Sequence, residues 1–295
     1  MRILVLRGGA LGDFLVTLPA LRLLRSRWPA ARIELVGNAR AAELGVRDGC
    51  LDAAHSQHEA RWGALFAPAP LPAALAGWIE TFDLVLSYWP DPDGTLGARF
   101  PLRPGQTFLA GTAAPTVAPA ARHFCEPLRS LGLAADDFRS RLTCSTAPED
   151  RDSEPAPVAI HPGSGSPAKN WPAERWQGLV SQLEVPVILV LGEAERERWN
   201  ASRVRRLASA RSHRIDVADC LPLPELAAVL QRCRLFLGHD SGVSHLAAAV
   251  GTPCVLLFGP TDPSMWAPPG PDTHVIHHGP ALDLITVQEV LDATI

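Results

Sequence analysis

Residues 235–263 read LFLGHDSGVSHLAAAVGTPCVLLFGPTDP. Leu235–Gly238 is apolar and short, as a buried strand requires. His239-Asp240-Ser241-Gly242 has the polar and small residues of a sharp turn. Val243–Val250 is alanine-rich and helix-forming, Gly251-Thr252-Pro253 stops it, and Cys254–Phe258 is a second apolar run. Strand, short helix and strand make a βαβ unit, which implies a parallel sheet. Asp240, Ser241 and Gly242 then sit where a helix begins at the carboxyl end of a strand. Open α/β sheets bind ligands there. Free backbone N–H groups and the positive end of the helix dipole favour phosphate at such a spot. His245 follows about one turn on, within reach of the same anion. A plainer reading stays open, in which Asp240 or Ser241 only caps the helix and His245 belongs to the core. Half of an aspartic-protease site is excluded. That chemistry needs two carboxylates sharing a proton, and no second Asp-Ser-Gly or Asp-Thr-Gly occurs.

Outward from this stretch, the 295 residues suffice for two domains of ordinary size. A hydrophobic content of 47% and a charged content of 20% describe a globular protein. A net charge of −4 and a pI near 6.2 argue against nucleic acid as a partner. Met1–Arg7 holds four consecutive apolar residues before Gly8-Gly9, so it reads as a strand and not a signal peptide. No run approaches the roughly 18 apolar residues of a membrane span. Six scattered cysteines without a C-x-x-C pair read as free thiols of a reducing cytoplasm rather than zinc ligands. The chain carries 26 arginines and one lysine, Lys169. A site that needs a compact ammonium rather than a planar fork would explain that survivor.

Arg2–Arg7 leads into Gly8-Gly9-Ala10-Leu11-Gly12-Asp13 and a helix to about Trp28, within which Pro19 starts or kinks a segment. Arg32–Gly37 is the second strand. The glycines at this first strand-to-helix turn are neither G-x-G-x-x-G nor a P-loop. Gly9 and Gly12 let backbone approach a ligand closely. They leave Asp13 at the helix start, either as a cap or as a general base. Residues 39–80 predict short helices and a weak strand near Ala53–Gln57, Phe82–Trp89 a strong strand, Gln106–Ala110 another, and His123–Leu131 a helix kinked at Pro127. Asp91-Pro92-Asp93 has the spacing of a metal-holding D-x-D, but proline between the acids and Gly94 after them read as a solvated turn. Residues 145–157 are rich in Pro, Ser and acids and read as a linker. The pattern then restarts with a strand at Val158–His161. The loop after it, Pro162–Pro172, has small residues that can wrap an anion with backbone amides, and Lys169 adds a point charge. A helix over about Ala173–Gln182 and a strand over Pro186–Leu191 follow. Gly192 and the acidic Glu193–Glu197 open another helix. Helices over Leu223–Arg232 and Thr286–Ala293 complete the reading.

Four motifs together, LGDFLVTLPAL (11–21), HPGSGSPAKNWP (161–172), HDSGVSHLAAAVGTP (239–253) and GPTDP (259–263), resemble glycosyltransferase family 9, the ADP-heptose:lipopolysaccharide heptosyltransferases. HFCEPLRSLGL (123–133) fits a fifth. The resemblance implies an α/β fold of two facing Rossmann-like domains, the GT-B type, with an interdomain cleft. The acceptor-binding domain would span 1–150 and the nucleotide-sugar-binding domain 151–295. It implies Asp13 as catalytic base and a glycine loop (Gly9, Gly12) on the acceptor side. It implies Gly163, Ser164 and Lys169 on the diphosphate, Asp240, Ser241, Gly242 and His245 along diphosphate and sugar, and Glu195 on the ribose. The activity implied is inverting transfer of a heptose, or a related sugar, from an ADP-sugar to a lipopolysaccharide core or other glycan. No cofactor or metal is expected. The setting implied is cytoplasmic, with association at the inner membrane face through a glycolipid or oligosaccharide acceptor.

Sugar transfer needs a base for the acceptor hydroxyl, an in-line anomeric carbon, and neutralisation of the leaving diphosphate. Asp13 supplies the first. The helix start at Ser241-Gly242, the 163–166 loop and Lys169 supply the last by fixed dipoles and charge. Two rivals stand beside this reading: an epimerase or phosphorylase of the same architecture, and a non-catalytic nucleotide-sugar-binding protein.

Overall fold

Arg2–Arg7 (β1) is the middle strand of a five-stranded parallel sheet in the order β3-β2-β1-β4-β5. Its partners are β2 (Arg32–Gly37), β3 (Ala53–Ser56), β4 (Leu84–Ser87) and β5 (Thr107–Ala110). Ile3, Leu4, Val5 and Leu6 are all buried, because a parallel sheet is covered on both faces. This is why the strand reads as an unbroken apolar run. Helix α1 (Leu11–Arg27) returns the chain over the sheet, with Pro19 buried inside it rather than at a start. It ends where Trp28 precedes Pro29, a position that disfavours helix. Further helices are α2 (Ala39–Arg47), α3 (Ala73–Glu80) and α4 (Ala120–Cys125), the last continued by a 3₁₀ turn over Glu126–Leu131.

A computed structural model provides these coordinates. It describes residues 1–143, 156–193, 195, 199, 202, 204 and 214–294. Contacts divide the chain into Met1–Phe138 and Arg139–Ile295. The expected linker lies outside the described residues apart from positions 156 and 157. So does most of the helix expected after Gly192.

The second unit holds six parallel strands in the order β11-β10-β9-β6-β7-β8. These are β6 (Val158–Ile160), β7 (Val187–Leu191), β8 (Ile215–Asp219), β9 (Leu235–His239), β10 (Cys254–Phe258) and β11 (Thr273–His277). Counted from β6, that is 3-2-1-4-5-6, the doubly wound Rossmann order. Helices α5 (Ala173–Gln182), α6 (Leu223–Gln231), α7 (Gly242–Ala249), α8 (Pro263–Trp266) and α9 (Val287–Asp292) complete it. The organising stretch folds as read: β9, α7 and β10, with Gly251 at φ +84° ending the helix in the left-handed conformation that glycine tolerates. Strands β8 and β11 were not legible, because edge strands carry polar residues: their sequences are IDVAD and THVIH.

In both sheets the order reverses beside the first strand of the unit, between β1 and β4 and between β6 and β9. Crevices at such switch points, outside the carboxyl ends of the strands, are where this architecture binds ligands.

Candidate active site

The first switch point is built on Arg7, the last residue of β1. Its guanidinium is buried, donating from Nη2 to Asp13 Oδ1 at 2.9 Å and from Nε to Thr17 Oγ1 at 3.1 Å. It also lies 4.3 Å from the ring centre of Phe124 in α4, a cation–π contact that ties in the HFCEP segment. Burial pulls the Arg7 pKa down and the Asp13 carboxylate opposes it. Asp13 occupies the third position of α1, and Gly12 the second. Its Oδ2 accepts the Ala10 N–H at 2.8 Å. Asp13 is therefore both a helix cap and a carboxylate fixed by a buried cation, with its side chain 36% exposed. Gly9 makes this possible: at φ +116° it turns the chain, and a β-carbon there would lie 2.4 Å from Asp13 Oδ2. Gln57 holds the turn from the end of β3, accepting the Gly9 N–H at 2.9 Å.

Asp91 takes the role of a turn residue, its two oxygens accepting the N–H groups of Leu96 and Gly97. Asp93 accepts from Thr95 N–H. Among the described residues, no group of three or more His, Cys, Asp or Glu is placed to hold a metal ion. Cys50, Cys125, Cys233 and Cys254 are buried free thiols, and Cys220 is exposed.

The second switch point gathers the remaining candidates. Ser241 is the N-cap of α7, its hydroxyl accepting the Ser244 N–H. The N–H groups of the first turn, beginning at Gly242, face the crevice end of the helix. His245 is buried in that turn. Asp240 does not cap. It accepts from Lys169 Nζ at 2.6 Å and from Thr261 Oγ1, in the GPTDP loop, at 2.8 Å. Ser164 is buried within its own loop, donating to Asn170 Oδ1 at 2.7 Å or to Ser166 O at 2.8 Å. Glu195 is buried against Gly163 and accepts the Gly192 N–H at 2.9 Å. Burial pushes the Glu195 pKa up, but His161 and the Gly192 amide outweigh it and hold the carboxyl below its ordinary value.

His239 joins these parts. Its Nε2 accepts the Trp171 N–H at 2.8 Å, so the proton is on Nδ1, which donates to Gly163 O at 3.2 Å. One buried neutral imidazole thus pins both ends of the 163–171 loop to the end of β9. Full burial drives its pKa down to about 3. The unfolded chain therefore takes up a proton at this residue below about pH 6.5 while the folded one does not. The stability held by neutral His239 is present above that pH and is lost as pH falls towards 3. Unfolding free energy is expected to fall by up to about 1.4 kcal/mol per pH unit below 6.5 from this group alone. Urea denaturation at pH 7.5 and 5.0, with His239→Gln as control, checks it: a pH dependence unchanged in the variant would rule out His239 as its source.

The structure thus gathers Gly163, Ser164, Lys169, Glu195, Asp240, Ser241, Gly242 and His245 around one switch point, and Gly9, Gly12 and Asp13 at the other. Sequence reasoning passed over Arg7, His161, His239 and Thr261. Three of them lie inside the quoted motifs HPGSGSPAKNWP, HDSGVSHLAAAVGTP and GPTDP, which was the available signal.

The family model "Glycosyltransferase family 9 (heptosyltransferase)" matches residues 120–284. A lipopolysaccharide heptosyltransferase 1 from Salmonella typhimurium is 34% identical over 116 residues, which cover 38% of this chain and 35% of that protein. The match therefore spans about a third of that relative's length. A family 9 glycosyl transferase from Veillonella parvula superposes with a TM-score of 0.77 at 20% identity, over 99% of this chain and 96% of that one. E. coli heptosyltransferase WaaC, solved with ADP, superposes with a TM-score of 0.73 at 22% identity, over 100% and 99%. These two likenesses identify the fold as the GT-B type.

Proposed function

The chain belongs to glycosyltransferase family 9, and we propose that it transfers a heptose, or a related sugar, from an ADP-sugar to a lipopolysaccharide core or other glycan acceptor. The observation that carries this reading is the pairing of functions across two switch points. A held carboxylate, Asp13, stands at one, and an ammonium, a small-residue loop and a helix start stand at the other. The Salmonella relative is a lipopolysaccharide heptosyltransferase and the WaaC structure contains ADP, which supports the donor and acceptor classes.

In this reading the first unit binds the acceptor and the second the donor. Asp13 removes the proton of the acceptor hydroxyl as that oxygen attacks the anomeric carbon. Arg7 and the Ala10 N–H fix the carboxylate, leaving its exposed lone pairs for the incoming proton. The bond to the diphosphate breaks on the opposite face, so the anomeric configuration inverts. Lys169, the amides of Gly163–Ser166 and the first turn at Gly242 take the growing negative charge. Ser164, Asp240 and His245 shape that pocket, and Glu195 is the candidate for the ribose hydroxyls. The acceptor would bring the enzyme to the inner membrane face from the cytoplasm. No helix among the described residues is long and apolar enough to cross a membrane.

Because Lys169 and backbone dipoles neutralise the leaving group, turnover is expected to persist in excess EDTA. Activity lost with the chelator and restored by Mg²⁺ or Mn²⁺ would refute that. The function itself is tested by incubating ADP-, UDP- and GDP-sugars with and without acceptor. A transferase releases nucleotide diphosphate in proportion to acceptor glycosylated. An epimerase turns over without acceptor, and a binding protein does neither.

A further inference from the structure

His161 directly follows β6 and is buried between two partners. Its Nδ1 lies 3.4 Å from Ser241 Oγ, and its Nε2 lies 3.8 Å from Glu195 Oε2. Other ionisable groups at this switch point are the Lys169–Asp240 pair, His245 in the first turn of α7, and His239, which burial keeps neutral. The described charged side chains gathered here are then Lys169, Asp240 and Glu195, one positive and two negative. Among these side chains Lys169 alone offsets the two negative charges of a diphosphate diester, beside the backbone amides of the loop and helix start. Of the described histidines, His239 already accepts a backbone proton at Nε2, and His161 is the one set between the Ser241 hydroxyl and the Glu195 carboxylate.

The hydroxyl network points the same way. Ser244 Oγ donates to His239 O, so its hydrogen is committed. Ser241 Oγ accepts from Ser244 N–H and can donate to Ser244 Oγ or to His161 Nδ1. With neutral His161 protonated on Nε2 towards Glu195, Nδ1 is an acceptor and takes the Ser241 hydrogen. With both nitrogens protonated, Nδ1 donates to Ser241 instead. The Ser241 hydroxyl is then released to donate to a phosphate oxygen at the helix start.

We propose that binding of a nucleotide diphosphate sugar is coupled to uptake of one proton by His161, which Glu195 holds and which acts through Ser241. The proton comes from solvent, and no covalent bond changes. His161 is a positioning residue in this scheme, and it rests on the donor site proposed above. The Glu195 carboxylate gains a task besides the ribose: it is the counter-ion that lets a buried imidazolium form.

Titration calorimetry with ADP-glucose tests this, because that diester has no phosphate group titrating near neutrality. Binding is measured at pH 8 in two buffers of different ionisation enthalpy. The expected result is uptake of roughly one proton per ligand, with Kd weakening up to about tenfold per pH unit above that. His161→Gln, checked for folding by thermal denaturation, is expected to bind with no proton uptake and a flat pH profile. Should that variant not fold, Glu195→Gln is expected to lower the uptake in the same measurement. Binding without proton uptake, or uptake unchanged in these variants, overturns the proposal while leaving the donor site intact. If ADP-, UDP- and GDP-glucose all fail to bind, the donor-site reading fails first and this inference with it.

Discussion

Asp13→Asn is expected to lower turnover by roughly 10²–10⁴ while leaving the donor dissociation constant unchanged. That range is the usual worth of a positioned general base. Donor affinity is spared because every donor candidate lies on the other unit. Asparagine keeps the shape of aspartate but has one acceptor oxygen where two are used. One oxygen accepts from Arg7 and the other from Ala10, so the amide NH₂ must face one of those donors. The helix start is expected to lose about 1–3 kcal/mol for that mismatch. Single-turnover rates should therefore be read well below the variant's melting temperature. Near-normal turnover in a folded Asp13→Asn would mean that the carboxylate only caps α1.

The second large effect is expected at Lys169. Lys169→Ala should lower kcat/KM by about 2–4 kcal/mol of transition-state stabilisation, roughly 30- to 1,000-fold, as for other fixed electrostatic contacts. Lys169→Arg should fall well short of wild type although it keeps the charge and this chain uses arginine almost everywhere else. The ammonium sits 2.6 Å from Asp240 in a loop bound at both ends by His239. A guanidinium is wider and wants two parallel acceptors. The ion pair adds a second consequence. Removing the lysine leaves Asp240, whose side chain is 10% exposed, held by the Thr261 hydroxyl. Stability is expected to fall by about 1–3 kcal/mol. Adding Asp240→Asn should recover much of that stability and none of the transfer rate. Wild-type kcat/KM in Lys169→Arg would show that the single lysine is an accident of composition.

The sequence made the architecture legible where strands are buried on both faces. RILVLR and LFLGH are apolar runs because helices cover both sides of a parallel sheet. The edge strands β8 and β11 gave no such signal, being half solvated and polar. At the site, residue types were legible but not their bonds. Asp13 could be placed at a helix start from Gly9 and Gly12, yet nothing in the local pattern announced that Arg7, six residues earlier, would turn inward and hold it. Asp240 looked like a cap. It serves as the partner of Lys169, 71 residues away, a contact that only the pairing of β6 with β9 creates. His239 looked like turn chemistry, and its role depends on reaching a loop from another strand. Local periodicity reports which face of an element is buried. It carries no information about which two loops meet at a sheet edge.

Asp13 and the Lys169 half-site are expected to serve one displacement on one sugar. The most direct test is the structure of the product. The chain, an ADP-heptose of known anomeric configuration and a glycan acceptor are incubated with EDTA, and the product is examined by mass spectrometry and NMR. The expected result is one heptose added per acceptor, one ADP released per heptose, and an inverted anomeric carbon. Retained configuration, or ADP released at the same rate without acceptor, would contradict it.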